Sequence, residues 1–111
     1  MSGITTHVLD TSRGCPAAGV PVVLERAVDS GWQPAGRDTT DADGRASDLL
    51  SSAPEDGCYR LTFDTGTYFR AVGKAGFYPE VSVTFVVGDA TEHYHVPLLL
   101  SPFGYSTYRG S

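Results

Sequence analysis

HYHVPLLL, residues His93 to Leu100, decides how the chain reads. In a strand, successive side chains point to opposite faces. Tyr94, Val96, Leu98 and Leu100 then share one face, while His93, His95, Pro97 and Leu99 share the other. The first set is an ordinary core face. The second carries Pro and Leu and is not an ordinary solvent face, so it calls for a cover. A two-layer sandwich has no third layer of its own, so the expected cover is another subunit. The first apolar stretch repeats the pattern: Ile4, Thr6 and Val8 face one way, and Thr5, His7 and Leu9 the other.

Outward from that stretch, short apolar runs alternate with Gly and Pro punctuation, as in an all-β chain. Strands are expected over Ile4–Asp10, Val20–Val28, Trp32–Thr39, Cys58–Asp64, Val81–Val87, His93–Leu100 and Ser106–Arg109. Inward-facing sets are Val20, Val22 and Leu24; Tyr59, Leu61 and Phe63; and Val81, Val83, Phe85 and Val87. Arg13-Gly14-Cys15-Pro16 and Asp41-Ala42-Asp43-Gly44 read as turns. One segment, Thr67–Ala75, has helical spacing, with Tyr68, Phe69 and Val72 on one side and Gly76 as its cap. The expected fold is an all-β, two-sheet sandwich of seven to eight strands with one short helix, a single domain over residues 1–111.

The 111 residues carry 13 acidic and 8 basic side chains, a formal charge of −5, which argues against phosphate-driven nucleic-acid binding. No apolar run approaches the ~18 residues of a membrane span. The first residues lack the basic flank and apolar stretch of a secretory signal, so a cytoplasmic location is expected. Cys15 and Cys58 are then expected to be reduced thiols. Neither a GxSxG elbow nor a phosphate loop occurs.

Each of the three histidines, taken singly, reads as a hydrogen-bonded surface residue. Together, on two strand faces that also hold leucines, they suggest a shared role. His93 and His95 are spaced to chelate zinc, yet no third ligand is in sight, so no metal site is expected. Arg45, after Asp43-Gly44, is either a solvated turn residue paired with Asp41 or Asp43, or a fixed guanidinium for a planar, oxygen-rich ligand. The ending GYSTYRGS, Gly104 to Ser111, is rich in hydroxyls and carries an arginine and the terminal carboxylate directly after a core strand.

Three segments carry a resemblance: TTHVLDTSRGCPAAGVPV near the start, TDADGR in the middle and HYHVPLLLSPFGYSTYRGS at the end. They resemble the 5-hydroxyisourate hydrolases, transthyretin-related enzymes of urate breakdown, over Ile4 to Ser111. The terminal Tyr108-Arg109-Gly110-Ser111 is the specific signature, which hormone-carrying transthyretins lack. The resemblance implies a homotetramer built as a dimer of dimers, a site in the cleft between dimers, and no cofactor. It implies His7, Arg45, His95 and Ser111 as catalytic residues and Tyr108, Arg109 and Gly110 as substrate-binding ones; His93 has no match and is a neighbour only.

The implied reaction is hydrolysis of the six-membered ring of 5-hydroxyisourate, giving 2-oxo-4-hydroxy-4-carboxy-5-ureidoimidazoline. His7 and His95, unranked, would supply the general base, since imidazole titrates near neutral pH. Arg45 would stabilise the oxyanion, Arg109 would hold ring oxygens and Ser111 would orient water or a histidine. Two other classes compete: a carrier of small aromatic ligands, and a structural β-sandwich module. A carrier channel needs no such polar cluster, and a structural module gives no reason for the tail.

Overall fold

The computed structural model describes residues 3–111; Met1 and Ser2 of the expected 1–111 domain lie outside the described residues. Nine strands and one helix follow in the order β1 (Gly3–Asp10), β2 (Cys15–Pro16), β3 (Pro21–Val28), β4 (Gly31–Thr39), β5 (Arg45–Ala46), β6 (Gly57–Phe63), α1 (Thr65–Ala71), β7 (Val81–Val87), β8 (His93–Ser101) and β9 (Gly104–Thr107). They form two sheets. One has the order β2-β1-β8-β9, with β5 also on β1; the other is β4-β3-β6-β7. The two strands beyond the expected count, β2 and β5, are two-residue pairings on β1, at stretches that read as turn ends.

The alternation of β8 is borne out. Tyr94, Val96, Leu98 and Leu100 are buried in the sandwich interior with Ile4 and Val8 of β1, Val22 and Leu24 of β3, and Tyr59, Leu61 and Phe63 of β6. On β7 only the ends, Val81 and Val87, are fully buried; Val83 and Phe85 are half-buried. Strands β1 and β8 run parallel, with Thr5 beside His95 and His7 beside Pro97. This pairing brings both histidine-bearing faces onto one surface of one sheet.

That surface is covered only in part, and part of the cover is the chain's own tail. Pro97 is buried: Gly110 lies over it, and Thr107 Oγ1 donates to the Pro97 carbonyl at 2.7 Å. Leu9 and Leu99, side by side in the register, stay half-buried.

The helix starts and ends earlier than its spacing suggests. Asp64 caps it, accepting from the Thr67 amide at 3.1 Å and the Thr67 hydroxyl at 2.7 Å. Tyr68 and Phe69 are buried as expected, but the chain turns out of the helix at Gly73, whose φ is +72°. Gly76 serves packing instead: a Cβ there would sit 2.6 Å from the Phe69 ring.

Tyr68 also ties the helix to the end of β1. Its hydroxyl donates to Asp10 Oδ2 at 2.6 Å and accepts from Arg13 at 3.1 Å. Burial would raise the Asp10 pKa, but hydrogen bonds from Tyr68, Ser12 and the Arg13 amide hold it below the usual carboxylate value. Burial and the bond to Asp10 push Tyr68 up to about 12. A phenol whose folded pKa is raised contributes stability that is complete below its unfolded value and is lost as pH rises through the folded one. Stability is therefore expected to fall between pH 10 and about 12. Tyr68→Phe should flatten that part of a melting-temperature profile; an unchanged slope would contradict the assignment.

Candidate active site

The turn before β5 sets one wall. Asp41 Oδ1 accepts from the amides of Asp43 at 2.9 Å and Arg45 at 3.0 Å, closing the turn on itself. Gly44 has φ +78°, and its carbonyl accepts from the Val8 amide at 2.7 Å. A Cβ at Gly44 would lie 2.4 Å from the Val8 carbonyl oxygen, so only glycine lets the turn pass this close to β1. The register then sets Arg45 opposite His7.

Asp41 Oδ1 thus serves the turn's own backbone amides. None of the ion pairs among the described residues involves Arg45. The pairing with Asp41 or Asp43 is thus not seen among the described residues, and Arg45 is exposed. Arg45 lines an open cleft of about 250 Å³ with Thr5, Thr6, Ser47, His93, His95 and Ser111.

His95 sits half-buried on this wall. Its Nδ1 is 2.8 Å from Thr5 Oγ1, which lies in turn 2.9 Å from His93 Nε2. Burial first, then the charges of Arg45, His7 and His93, lowers its pKa below the ordinary imidazole value of 6.5. The ring is therefore neutral at pH 7, the state a proton acceptor needs. His7 stands at the margin rather than on the wall. Its Nε2 is 2.8 Å from the Asp43 carbonyl oxygen. A carbonyl only accepts, so Nε2 carries the proton and Nδ1 keeps the lone pair in the neutral ring.

The tail continues the β8–β9 register past a two-residue break. Gly110 bridges His95, and its amide donates to the His95 carbonyl at 2.8 Å. A Cβ on Gly110 would lie 2.6 Å from His95 Cδ2, so only glycine can lie against this ring. Ser111 follows on the cleft wall. Tyr108 and Arg109, within one chain, point elsewhere. The Arg109 guanidinium donates to Glu92 at 3.0 Å and stacks 4.5 Å above the Tyr94 ring. Both residues line a second depression, with Val83, Phe85, Tyr94 and Val96.

The structure thus brings together Arg45, His95 and Ser111, with His7 adjoining and Gly110 against His95. Thr5 and Ser47 are wall residues that sequence reasoning missed. Thr5 shares the outward face of β1 with His7, but its place between two histidines follows from a parallel pairing that the sequence does not show. Among the described residues no group of three or more His, Cys, Asp or Glu side chains could hold a metal ion.

Known proteins resemble this chain over nearly its whole length. It is 49% identical over 109 residues to a 5-hydroxyisourate hydrolase of Salmonella dublin, spanning 97% of this chain and 80% of that one. The solved 5-hydroxyisourate hydrolase of Klebsiella pneumoniae superposes with a TM-score of 0.88 at 38% identity, covering all of both chains. The transthyretin of Sparus aurata superposes with a TM-score of 0.91 at 31% identity, over 99% of this chain and 97% of that one. Backbone shape therefore does not separate the hydrolase from the transthyretin. The family pattern matches residues 4–110, and with these relatives it shows that the chain belongs to the HIUase/Transthyretin family.

Proposed function

We propose that this protein hydrolyses 5-hydroxyisourate in urate degradation, at the cleft that holds His95, Arg45 and Ser111. The observation that carries the reading is Arg45, in no ion pair among the described residues, on the same cleft wall as His95, whose pKa burial lowers. A hydrophobic carrier site has no use for that pair. Hydrolases of this substrate in Salmonella dublin and Klebsiella pneumoniae are among the similar proteins.

The residues divide the work as follows. His95 takes the proton from a water molecule as its oxygen attacks the ring carbonyl. Arg45 faces the oxyanion that forms. As the C–N bond breaks, the imidazolium returns its proton to the leaving nitrogen, which leaves His95 neutral again. His7, its Nε2–H committed to Asp43, keeps Nδ1 for the substrate or for water. Ser111 supplies a hydroxyl and the terminal carboxylate. Tyr108 to Gly110 form the substrate-binding tail: Gly110 lies directly against His95, and Arg109 anchors the stretch on Glu92 and Tyr94. Freshly generated 5-hydroxyisourate should lose its ultraviolet absorbance faster with the protein than without it; equal rates would contradict the reading.

The donor set calls for no cofactor. Turnover should survive a chelator unchanged, and a loss that zinc alone restored would contradict a metal-free site. Leu9 and Leu99, half-buried on the same sheet face as His7 and His95, favour a homotetramer, a dimer of dimers, in which a second copy covers that face. Sedimentation at micromolar concentration should show a tetramer; monomer alone would sink the shared cleft. Among the described residues no helix is long and apolar enough to cross a membrane. The proposed setting is cytoplasmic, with the thiols of Cys15 and Cys58 free.

A further inference from the structure

Thr5 Oγ1 touches two ring nitrogens, Nδ1 of His95 at 2.8 Å and Nε2 of His93 at 2.9 Å. A hydroxyl owns one proton and two lone pairs. It can donate to only one of the two rings, so the other ring must donate to it. The direction of this short chain fixes which nitrogen of His95 carries a proton.

With His95 Nδ1 engaged by Thr5, the nitrogen left for the cleft is Nε2, which has no hydrogen-bond partner among the described residues and is not sealed from solvent. Arg45 lines the same cleft. A guanidinium there favours a lone pair facing it over an N–H. His93 is exposed, so solvent can meet whatever hydrogen-bonding need its other nitrogen has.

We propose that Thr5 is a positioning residue: it accepts from His95 Nδ1–H and donates to His93 Nε2, so that His95 presents an unprotonated Nε2 to the cleft. His93, which no motif singles out, is then the acceptor that fixes the direction of the chain. The opposite order would put the proton on His95 Nε2 and present a donor where a base is needed. During turnover the bond to Thr5 also stabilises the imidazolium, because Nδ1–H donates more strongly once Nε2 is protonated. The inference rests on His95 acting as the general base.

The test joins kinetics to nitrogen-15 spectroscopy of the imidazole rings at neutral pH. In the unmodified protein His95 should show a protonated Nδ1 and a bare Nε2. Thr5→Val keeps the β-branched shape of the strand residue and removes the hydroxyl. It should lower kcat about 10-fold or more with KM within about 3-fold, the signature of an impaired base rather than impaired binding. Thr5→Ser, which keeps the hydroxyl, should recover most of kcat and the Nδ1–H signal. An active enzyme whose His95 carries its proton on Nε2, or a folded Thr5→Val variant with full kcat, would overturn the proposal. The spectrum of the unmodified protein needs no variant to fold and no substrate. An inactive protein would count against the hydrolase reading, while the His95 spectrum still decides the role of Thr5.

Discussion

His95→Asn and Arg45→Ala should each lower turnover by at least ~10²-fold, the scale of a lost general base or oxyanion donor, with no change in fold. Both side chains line an open cleft and belong to no core layer. His95 gives up one hydrogen bond to Thr5, and Arg45 gives up no ion pair seen among the described residues. Melting temperature and circular dichroism should therefore hold while kcat falls. His93→Asn should cost far less than His95→Asn, because His93 lines the cleft as an exposed residue and touches His95 only through Thr5. Equal losses in the two histidine variants would show that the wrong ring has been given the base role. The lowered pKa of His95 adds a sign: a base is active when unprotonated, so the acid limb of kcat/KM should lie below pH 6.5. A limb above that value would contradict the neutral-base assignment.

A C-terminal tag, or deletion of Ser111, should abolish most activity while leaving the melting temperature and oligomeric state nearly unchanged. Gly110 is held on His95 by one hydrogen bond of 2.8 Å and a contact too close for any side chain. Ser111 therefore enters the cleft at a fixed point. An added chain must run through the space of the substrate or lever the tail off His95. Deletion moves the terminal carboxylate back one residue, ~3.3–3.6 Å at full extension, and removes the hydroxyl. Catalysis responds to displacements of about 1 Å. Ser111 is exposed and carries no core burial, which is why stability should not follow activity. The same tag on Met1 is the control and should be tolerated better. Full turnover in the C-terminally tagged protein would remove the tail from the site.

The layers of the sandwich were legible because alternation is a local property. The inward sets of β1, β3, β6 and β8 could be read two residues at a time, and they are the buried residues. The ends of elements were less so. Helix α1 begins at Thr65 because Asp64 can cap it, a signal present in the sequence but weaker than the run of Tyr68, Phe69 and Val72. Gly73 rather than Gly76 ends it, since either glycine would serve and packing against Phe69 claims the second.

The site was legible as a set of motifs and not as a geometry. Three facts decide its chemistry: the bond from Thr5 to two histidines, the use of Asp41 on amides rather than on Arg45, and the seating of Gly110 on His95. The first and third depend on which strands become neighbours; the second is local to the Asp41–Arg45 turn but is settled by the turn's geometry rather than by residue type. Pairing between Thr5 and His95 spans 90 residues of sequence, and no local pattern announces it. Arg109 shows the converse. Its signature position implied a hand on the substrate, while one chain turns it onto Glu92 and Tyr94.

The most direct measurement is a crystal structure with a stable, planar purine-dione analogue of the substrate. The ring should sit in the cleft beside Ser111, its oxygens within hydrogen-bond reach of the Arg45 guanidinium and its carbonyl carbon facing His95 Nε2. An analogue seated instead in the depression between Phe85, Tyr94 and Tyr108, with the His95 cleft empty, would contradict that placement.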